Sequence, residues 1–276
     1  MAQDNRHLYL ITIAIVILFV SGVGGYFTLF RMNKPAKDYY EAAKRGNPEA
    51  QYKLAECYYN GNGVRKDFSK AVTWYRKAAE QKHADAECQL GKCYYYGEGV
   101  SKDYPRAVKW FLLASEQDNV EAHSYLGLCL LNGTGIDEDK AEAFKHISKA
   151  AEQGLAKAQH NLAYCFFNGE GVTENKTEAF QWFFKAAEQK DAQAQHAVGL
   201  CFYNGWGVSK NYDEAVKWFK KASDQGDANA MEALAGCYFL GNGVPMDIAE
   251  AIRLTRRSAK LGNQHSQEIL KRMGRH

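Results

Sequence analysis

The sequence predicts an all-α fold: a right-handed α-α superhelical solenoid of six 36-residue helix-pair repeats, preceded by one transmembrane helix. Three observations predict it. A Gly-x-Gly turn followed by Val or Ile begins at Gly61, Gly97, Gly133, Gly169, Gly205 and Gly241, each 36 residues from the next with no insertion. A fixed period of that length marks stacked supersecondary units. Before each turn, apolar residues fall at helical spacing, as Ala86, Leu90, Cys93 and Tyr94 do, which makes one stripe along a helix. Finally, residues 8–30 carry no charged side chain.

From the N-terminus, residues 1–7 form a tail whose only basic side chain is Arg6. Segment 8–30 is long enough, at about 1.5 Å per residue, to cross a hydrocarbon core of about 30 Å. A secretory signal cleaved near Gly22 is the competing reading, and the apolar run continues beyond that point to Phe30. Arg31, Lys34, Lys37, Lys44 and Arg45 follow. An excess of positive charge on that side places the solenoid in the cytoplasm, with a periplasmic or extracellular placement as the alternative. Residues 31–36 read as a juxtamembrane linker and 37–46 as a capping half-repeat that matches a second helix.

Six units then run over 47–82, 83–118, 119–154, 155–190, 191–226 and 227–262, closed by a half-repeat at 263–276. In each, a first helix ends at the first glycine of the turn, where a left-handed residue is needed. Asp67, Asp103, Asp139, Asn175, Asn211 and Asp247 stand where the second helix needs an N-cap, since their side-chain oxygens accept an orphan N–H. Glu142, Glu178, Glu214 and Glu250 follow by three, the spacing of a capping box. Pro105 falls in a first turn, where its missing N–H is harmless. Alanine at positions 71, 107, 143, 179, 215 and 251 allows helices to approach, and Trp74, Trp110, Trp182 and Trp218 are expected to fill the space between them. Gly46, Gly154, Gly226 and Gly262 are suited to end second helices.

Composition excludes several classes of function. A net charge of +3, from 35 basic and 32 acidic residues, lacks the one-signed field of a dedicated nucleic-acid binder. Cys57, Cys93, Cys129, Cys165, Cys201 and Cys237 are one repeat position. Packed helices sit about 8–10 Å apart while a disulfide needs Cα atoms within about 7 Å, so these thiols do not pair. They are expected to be small buried hydrophobes, and Cys88, off the register, to be exposed. There is no Cys-x2-Cys, His-Glu-x2-His, Ser-x2-Lys or Gly-Lys-Ser/Thr. No catalytic, cofactor-binding or metal-binding residues, and no small-molecule substrate, are therefore expected. His160 and His196 share a repeat position and hint at a paired surface feature.

The run Ala86-x3-Leu90-Gly91-x-Cys93-Tyr94-x2-Gly97-x-Gly99-Val100-x2-Asp103-x3-Ala107-x2-Trp110-Phe111-x2-Ala114 resembles the Sel-one-like repeat, a relative of the tetratricopeptide repeat, over about 39–270. The resemblance implies a scaffold or adaptor that binds a protein or peptide partner, without enzyme activity. The alternative is a secreted envelope factor, hydrolytic like some cysteine-rich relatives described as β-lactamases; those carry two cysteines per repeat, where this chain has one regular cysteine. In the related family the first helices line the concave face. By that transfer Tyr52, Cys88, Ser124, His160, His196 and Glu232 form one groove row, and Glu56, Lys92, Leu128, Tyr164, Leu200 and Gly236 a second. Tyr59, Tyr95, Leu131, Phe167, Tyr203 and Phe239 form a third, which is either groove or inter-repeat core, beside asparagine amides at Asn60, Asn132, Asn168 and Asn204 that could bond a peptide backbone. Trp206, inside a turn, is a candidate exposed anchor. From Arg253 onward seven basic side chains face Glu268 alone: the polar outer face of a terminal repeat, or a docking patch for acidic groups.

Overall fold

The computed structural model describes residues 32–273, which contain fourteen α-helices and, among the described residues, no strand. They are α1 (Lys34–Lys44), α2 (Pro48–Asn60), α3 (Phe68–Ala79), α4 (Ala84–Tyr96), α5 (Tyr104–Glu116), α6 (Val120–Asn132), α7 (Lys140–Glu152), α8 (Ala156–Asn168), α9 (Lys176–Glu188), α10 (Ala192–Asn204), α11 (Tyr212–Asp224), α12 (Ala228–Leu240), α13 (Ile248–Lys260) and α14 (Gln264–Met273). Two compact units hold them, one ending at Asn119 with α1–α5 and one starting at Val120 with α6–α14. Among the described residues no helix is long and apolar enough to cross a membrane; segment 8–30 lies outside them. The expected linker at 31–36 is shorter than read. Helix α1 already starts at Lys34, because Asn33 caps it by accepting the Ala36 N–H at 3.1 Å and Pro35 suits its first turn.

Even-numbered helices are the first, and odd-numbered helices the second, member of each pair. Both glycines of the turn are forced, for different reasons. The first ends its helix in the left-handed region, with φ of 80° at Gly61 and 79° at Gly97. The second allows close approach: a Cβ on Gly171 or Gly207 would lie 2.0 Å from the carbonyl oxygen of Lys140 or Lys176. The turns at Gly99, Gly171, Gly207 and Gly243 therefore seat on the start of the preceding second helix, a docking role that the sequence reading of a simple helix stop missed. Gly46, Gly154, Gly226 and Gly262 do adopt positive φ, but Lys82, Asp118 and Lys190 adopt it at the same register, with φ of 60–66°.

The N-caps form as expected: Asp67, Asp103, Asp139, Asn175, Asn211 and Asp247 each accept the N–H three residues on, at 2.9–3.1 Å. The capping box is only half made. The N-cap N–H groups donate instead to carbonyls of the paired first helix, as Asp139 does to Leu130 at 3.0 Å and Asp247 to Tyr238 at 2.9 Å. That releases Glu142, Glu214 and Glu250 to hold Lys145, Lys217 and Arg253.

The core lies between paired helices. Leu54, Leu90, Leu126, Leu162, Val198 and Leu234 are buried, facing Tyr75, Phe111, Ile147, Phe183 and Phe219. These facing residues, each one position after the tryptophan register, fill the space within a pair, and Trp218, itself buried, fills the space between neighbouring second helices as expected. The ring of Phe111 sits against Gly91 and that of Phe219 against Gly199, so close that an added Cβ would meet them at 2.6 and 2.5 Å. Trp74, Trp110 and Trp182 are half-buried and lie on the outer seam between second helices, as shown by Trp74 against Tyr40 and Trp218 against Phe184, at 6.2 and 5.4 Å. Lysines cover them, Lys185 over Trp182 at 3.8 Å and Lys221 over Trp218 at 3.6 Å.

A glutamine ladder ties three of the pairs to their predecessors. The Nε2 groups of Gln51, Gln159 and Gln195 donate to the carbonyls of Ala43, Ala151 and Ala187 at 3.2 Å. Their Oε1 atoms accept from Gln81, Gln189 and Gln225 at 2.8 Å. All three first-helix glutamines are buried, and the bonds remove the penalty of burying an amide.

Candidate functional site: pockets at the seams between repeats

The first expected groove row is largely interior. Cys88, Ser124 and His160 are buried; at His160 the register brings the side chain toward Asp191, at the start of the next first helix. Tyr52 stacks on His83 at 4.8 Å, and Glu232 accepts from Asn263 at 2.7 Å and pairs with His265. His160 and His196 are not a surface pair: their rings lie against Phe183 and Phe219, at 5.7 and 5.9 Å. Burial holds both imidazoles below their usual pKa, opposed by Asp191 at His160 and by Asp227 and Glu232 at His196. Cys88 is 2% exposed, which corrects the expectation that it would be reachable.

In the aromatic row, Tyr59, Phe167 and Tyr203 are each covered by the middle residue of the next Gly-x-Gly turn. The Tyr59 hydroxyl donates to Glu98 Oε2 at 2.5 Å, Asn242 Nδ2 donates to the Tyr203 hydroxyl at 2.9 Å, and Phe167 meets Trp206 edge-on at 5.2 Å. Tyr95 packs edge-on against Tyr104 at 5.2 Å, and Lys92 of the second row is half-buried. The exposed asparagine amides bond within their own helices: Asn132 and Asn204 donate to Leu128 and Leu200 carbonyls at 2.9 and 3.0 Å, and Asn60 donates to Glu56. Tyr164 and Trp206 remain open, 42% and 38% exposed.

These two form the mouth of a small pocket built by α8, α9, α10 and the turn after α10. Its walls are Tyr164, Phe167, Phe183, Ala197, Leu200, Cys201 and Trp206, and it encloses about 80 Å³. Tyr164 stands edge-on to Phe183 at 5.1 Å, and Lys176 lies 3.5 Å over the Phe167 ring while donating to the Phe167 carbonyl at 2.8 Å. Gly207 seats the turn's backbone on Lys176, which places the Trp206 indole edge-on to Phe167. Such a rigid aromatic box can accept one apolar side chain. The same frame recurs two repeats later, with Gly236, Phe239, Thr255, Ile269 and Met273 at the registers of Tyr164, Phe167, Phe183, Ala197 and Cys201; there it encloses about 340 Å³. The sequence rows placed Tyr164, Trp206, Gly236 and Phe239 but did not join them into pockets, because second-helix residues such as Phe183 and Thr255 complete the walls.

The titratable groups are arranged as structure. Burial pushes the thiols of Cys93 and Cys201 up to about 12 and those of Cys129, Cys165 and Cys237 up to about 11, so none is a thiolate near neutral pH. Glu87, standing in the glutamine register, is raised by burial and accepts from Gln117 at 2.7 Å. In the third repeat His123 replaces that glutamine and His146 replaces tryptophan, and their Nδ1 atoms meet at 2.7 Å, one donating and one accepting. Among the described residues no group of three or more His, Cys, Asp or Glu side chains converges to hold a metal.

Paired helices, a docking turn and seams that differ from repeat to repeat define a helical-repeat protein. The Sel1 repeat model matches residues 48–83, 84–119, 120–155, 156–191, 192–227 and 228–263, and the chain belongs to the Sel1 repeat family, whose members are generally protein-interaction scaffolds. Among solved structures it is similar to c5321, a protective antigen of uropathogenic Escherichia coli, with 35% identity and a TM-score of 0.75 over 85% of this chain and 50% of that one. The chain thus spans about half the length of that protein. A Sel1 repeat protein from Oxalobacter formigenes is 29% identical, with a TM-score of 0.73 over 82% of this chain and 97% of that one. A Sel1 repeat protein from Klebsiella pneumoniae, 24% identical over 73% of this chain and 98% of its own with a TM-score of 0.51, shares the fold. No curated protein matches the chain.

Proposed function

We propose that this chain is a membrane-anchored adaptor that acts without catalysing a reaction and holds a protein or peptide partner in the pocket between Tyr164 and Trp206. The observation that supports it most is the exposure of these two large aromatics over an apolar, pre-formed box. Rigid amphipathic rings that are already ordered lose little entropy on binding, which is why such side chains dominate interface energetics. The buried, high-pKa thiols and internally bonded polar groups favour this reading over a hydrolytic one. The uncharged segment 8–30 supplies the anchor in this proposal, and the basic residues after it put the solenoid on the cytoplasmic side.

The test is a cross-linking pull-down from native membranes with the full chain. The proposal expects a discrete partner whose recovery falls at least tenfold in Trp206→Ala and in Tyr164→Ala and is unchanged in Lys185→Ala on the outer seam. Equal recovery by all four proteins contradicts it. N-terminal sequencing of the mature chain tests the anchor: an end at Met1 or Ala2 agrees, and an end near Gly22 does not.

A further inference from the structure

Gly236 sits in the middle of α12, where a glycine weakens a helix by about 1 kcal/mol relative to alanine. Its counterparts in helix interiors have a packing reason, since Gly91, Gly127 and Gly199 each receive a side chain of the paired second helix. At Gly236 an added Cβ would meet nothing within 4 Å. The space it leaves is enlarged by Thr255, which stands where Phe183 and Phe219 fill the equivalent seams and which turns its hydroxyl back to the Ala251 carbonyl at 2.8 Å. Two small residues at registers that elsewhere carry large ones thus open a groove of about 340 Å³ between α12, α13 and α14. That volume is at the lower end of what small-ligand and peptide-anchor sites occupy. Its apolar walls are Phe239, Ile248, Ile252, Ile269 and Met273, with Phe239 58% and Met273 47% exposed.

The rim is basic. Arg256 continues the face of Ile252 one turn on, and Arg272 follows Ile269 by three residues, so both fall beside the groove by helical spacing; both are exposed. Arg257, Lys260 and Lys271 add exposed positive charge on the same two helices, against the exposed Glu268. Arg253 is held by Glu250, and Glu232 on the groove wall is taken by Asn263 and His265. A concave apolar slot with an excess of unspent guanidinium at its edges complements one chemistry, apolar side chains flanked by carboxylates.

We propose that the groove between α12, α13 and α14 is a second docking site, and that its occupant is an acidic, apolar segment of a protein partner. The site does not depend on the Trp206 pocket. Its test uses a displayed library of random 12-residue peptides selected on the full chain in phosphatidylcholine nanodiscs. Selected peptides are expected to carry two or more apolar residues flanked by Asp or Glu. Their affinity should fall at least tenfold in Gly236→Tyr and in Thr255→Phe, each of which installs a side chain that another repeat already accommodates at that register. Affinity should fall several-fold in Arg272→Glu and stay unchanged in Trp206→Ala. Failure to enrich acidic–apolar peptides overturns the proposal, as does equal binding by the filled variants. If the proposal fails in that way, whichever of phosphatidylserine-vesicle adhesion or self-association Gly236→Tyr weakens identifies the occupant instead.

Discussion

The pocket at Tyr164 and the groove at Gly236 are the same place in the repeat, two repeats apart, and they differ about fourfold in volume, from about 80 to about 340 Å³. In one, Phe183 and Tyr164 fill the seam and leave a box for a single side chain. In the other, Thr255 and Gly236 leave a groove. The paired helices recur at both seams, while Met231 stands in the glutamine register at the groove and the Trp206 turn lines only the closed pocket. This division of labour is what a repeat scaffold needs: backbone geometry repeats, and recognition is written in the side chains that line each seam.

Exchanging the two fillings is the strongest way to break the comparison. Phe183→Thr imposes the open filling on the closed seam and should lower stability by about 3 kcal/mol, as for truncation of a buried aromatic. The reverse change, Thr255→Phe, enters open space and should shift stability by less than about 1 kcal/mol. Urea unfolding measures both, and equal losses would show that the two seams are not equivalent frames with different content.

A smaller contrast is in pH response. The register that holds His160 and His196 around the closed pocket holds Glu232 at the open groove. Both imidazoles are held below their ordinary value by burial, so the unfolded chain binds protons before the folded one does. Stability is therefore full above about pH 6.5 and is lost as pH falls toward the depressed folded values, by at most about 1.4 kcal/mol per pH unit for each group. His160→Gln, which carries no titrating group, should reduce the loss between pH 6.5 and 5; an unchanged profile would remove His160 from the account.

The smallest expected effect compares turns. Lys190 holds φ of 66° where Gly154 and Gly226 hold 89° and 91°. Lys190→Gly should stabilise by about 1 kcal/mol by relieving a left-handed conformation in a side-chain-bearing residue, and Gly226→Lys should lose a similar amount. Thermal melts of the two variants give the signs.

Much of this frame was legible in the sequence. The 36-residue period, the six N-caps and the first turn glycine all follow from local chemistry, which depends on neighbours a few residues away. The second turn glycine was misread because its cause lies about 30 residues earlier, at the backbone of Lys140 or Lys176. Tryptophan was expected to fill the space between helices, and it does so between neighbouring second helices, as Trp218 against Phe184 shows, while the adjacent position fills the space within each pair. The groove rows were misread as well. Register shows which residues are equivalent, but Cys88 and His160 are buried, and identical spacing does not reveal which rows are covered. The Gln51, Gln159 and Gln195 ladder had a visible signal, the matching glutamines 30 residues later, that periodicity of apolar residues alone does not pick up.

The central claim is that recognition takes place in the seams on the first-helix side. A photoreactive phenylalanine analogue placed at Leu200, on the wall of the closed pocket, and at Gln181, exposed on α9, tests it directly in cells expressing the full chain. The account predicts a discrete protein adduct from position 200 that disappears when Trp206→Ala is added, and no adduct of that mass from position 181. The same adduct from both positions, or an adduct from 200 that persists without the indole, would contradict it.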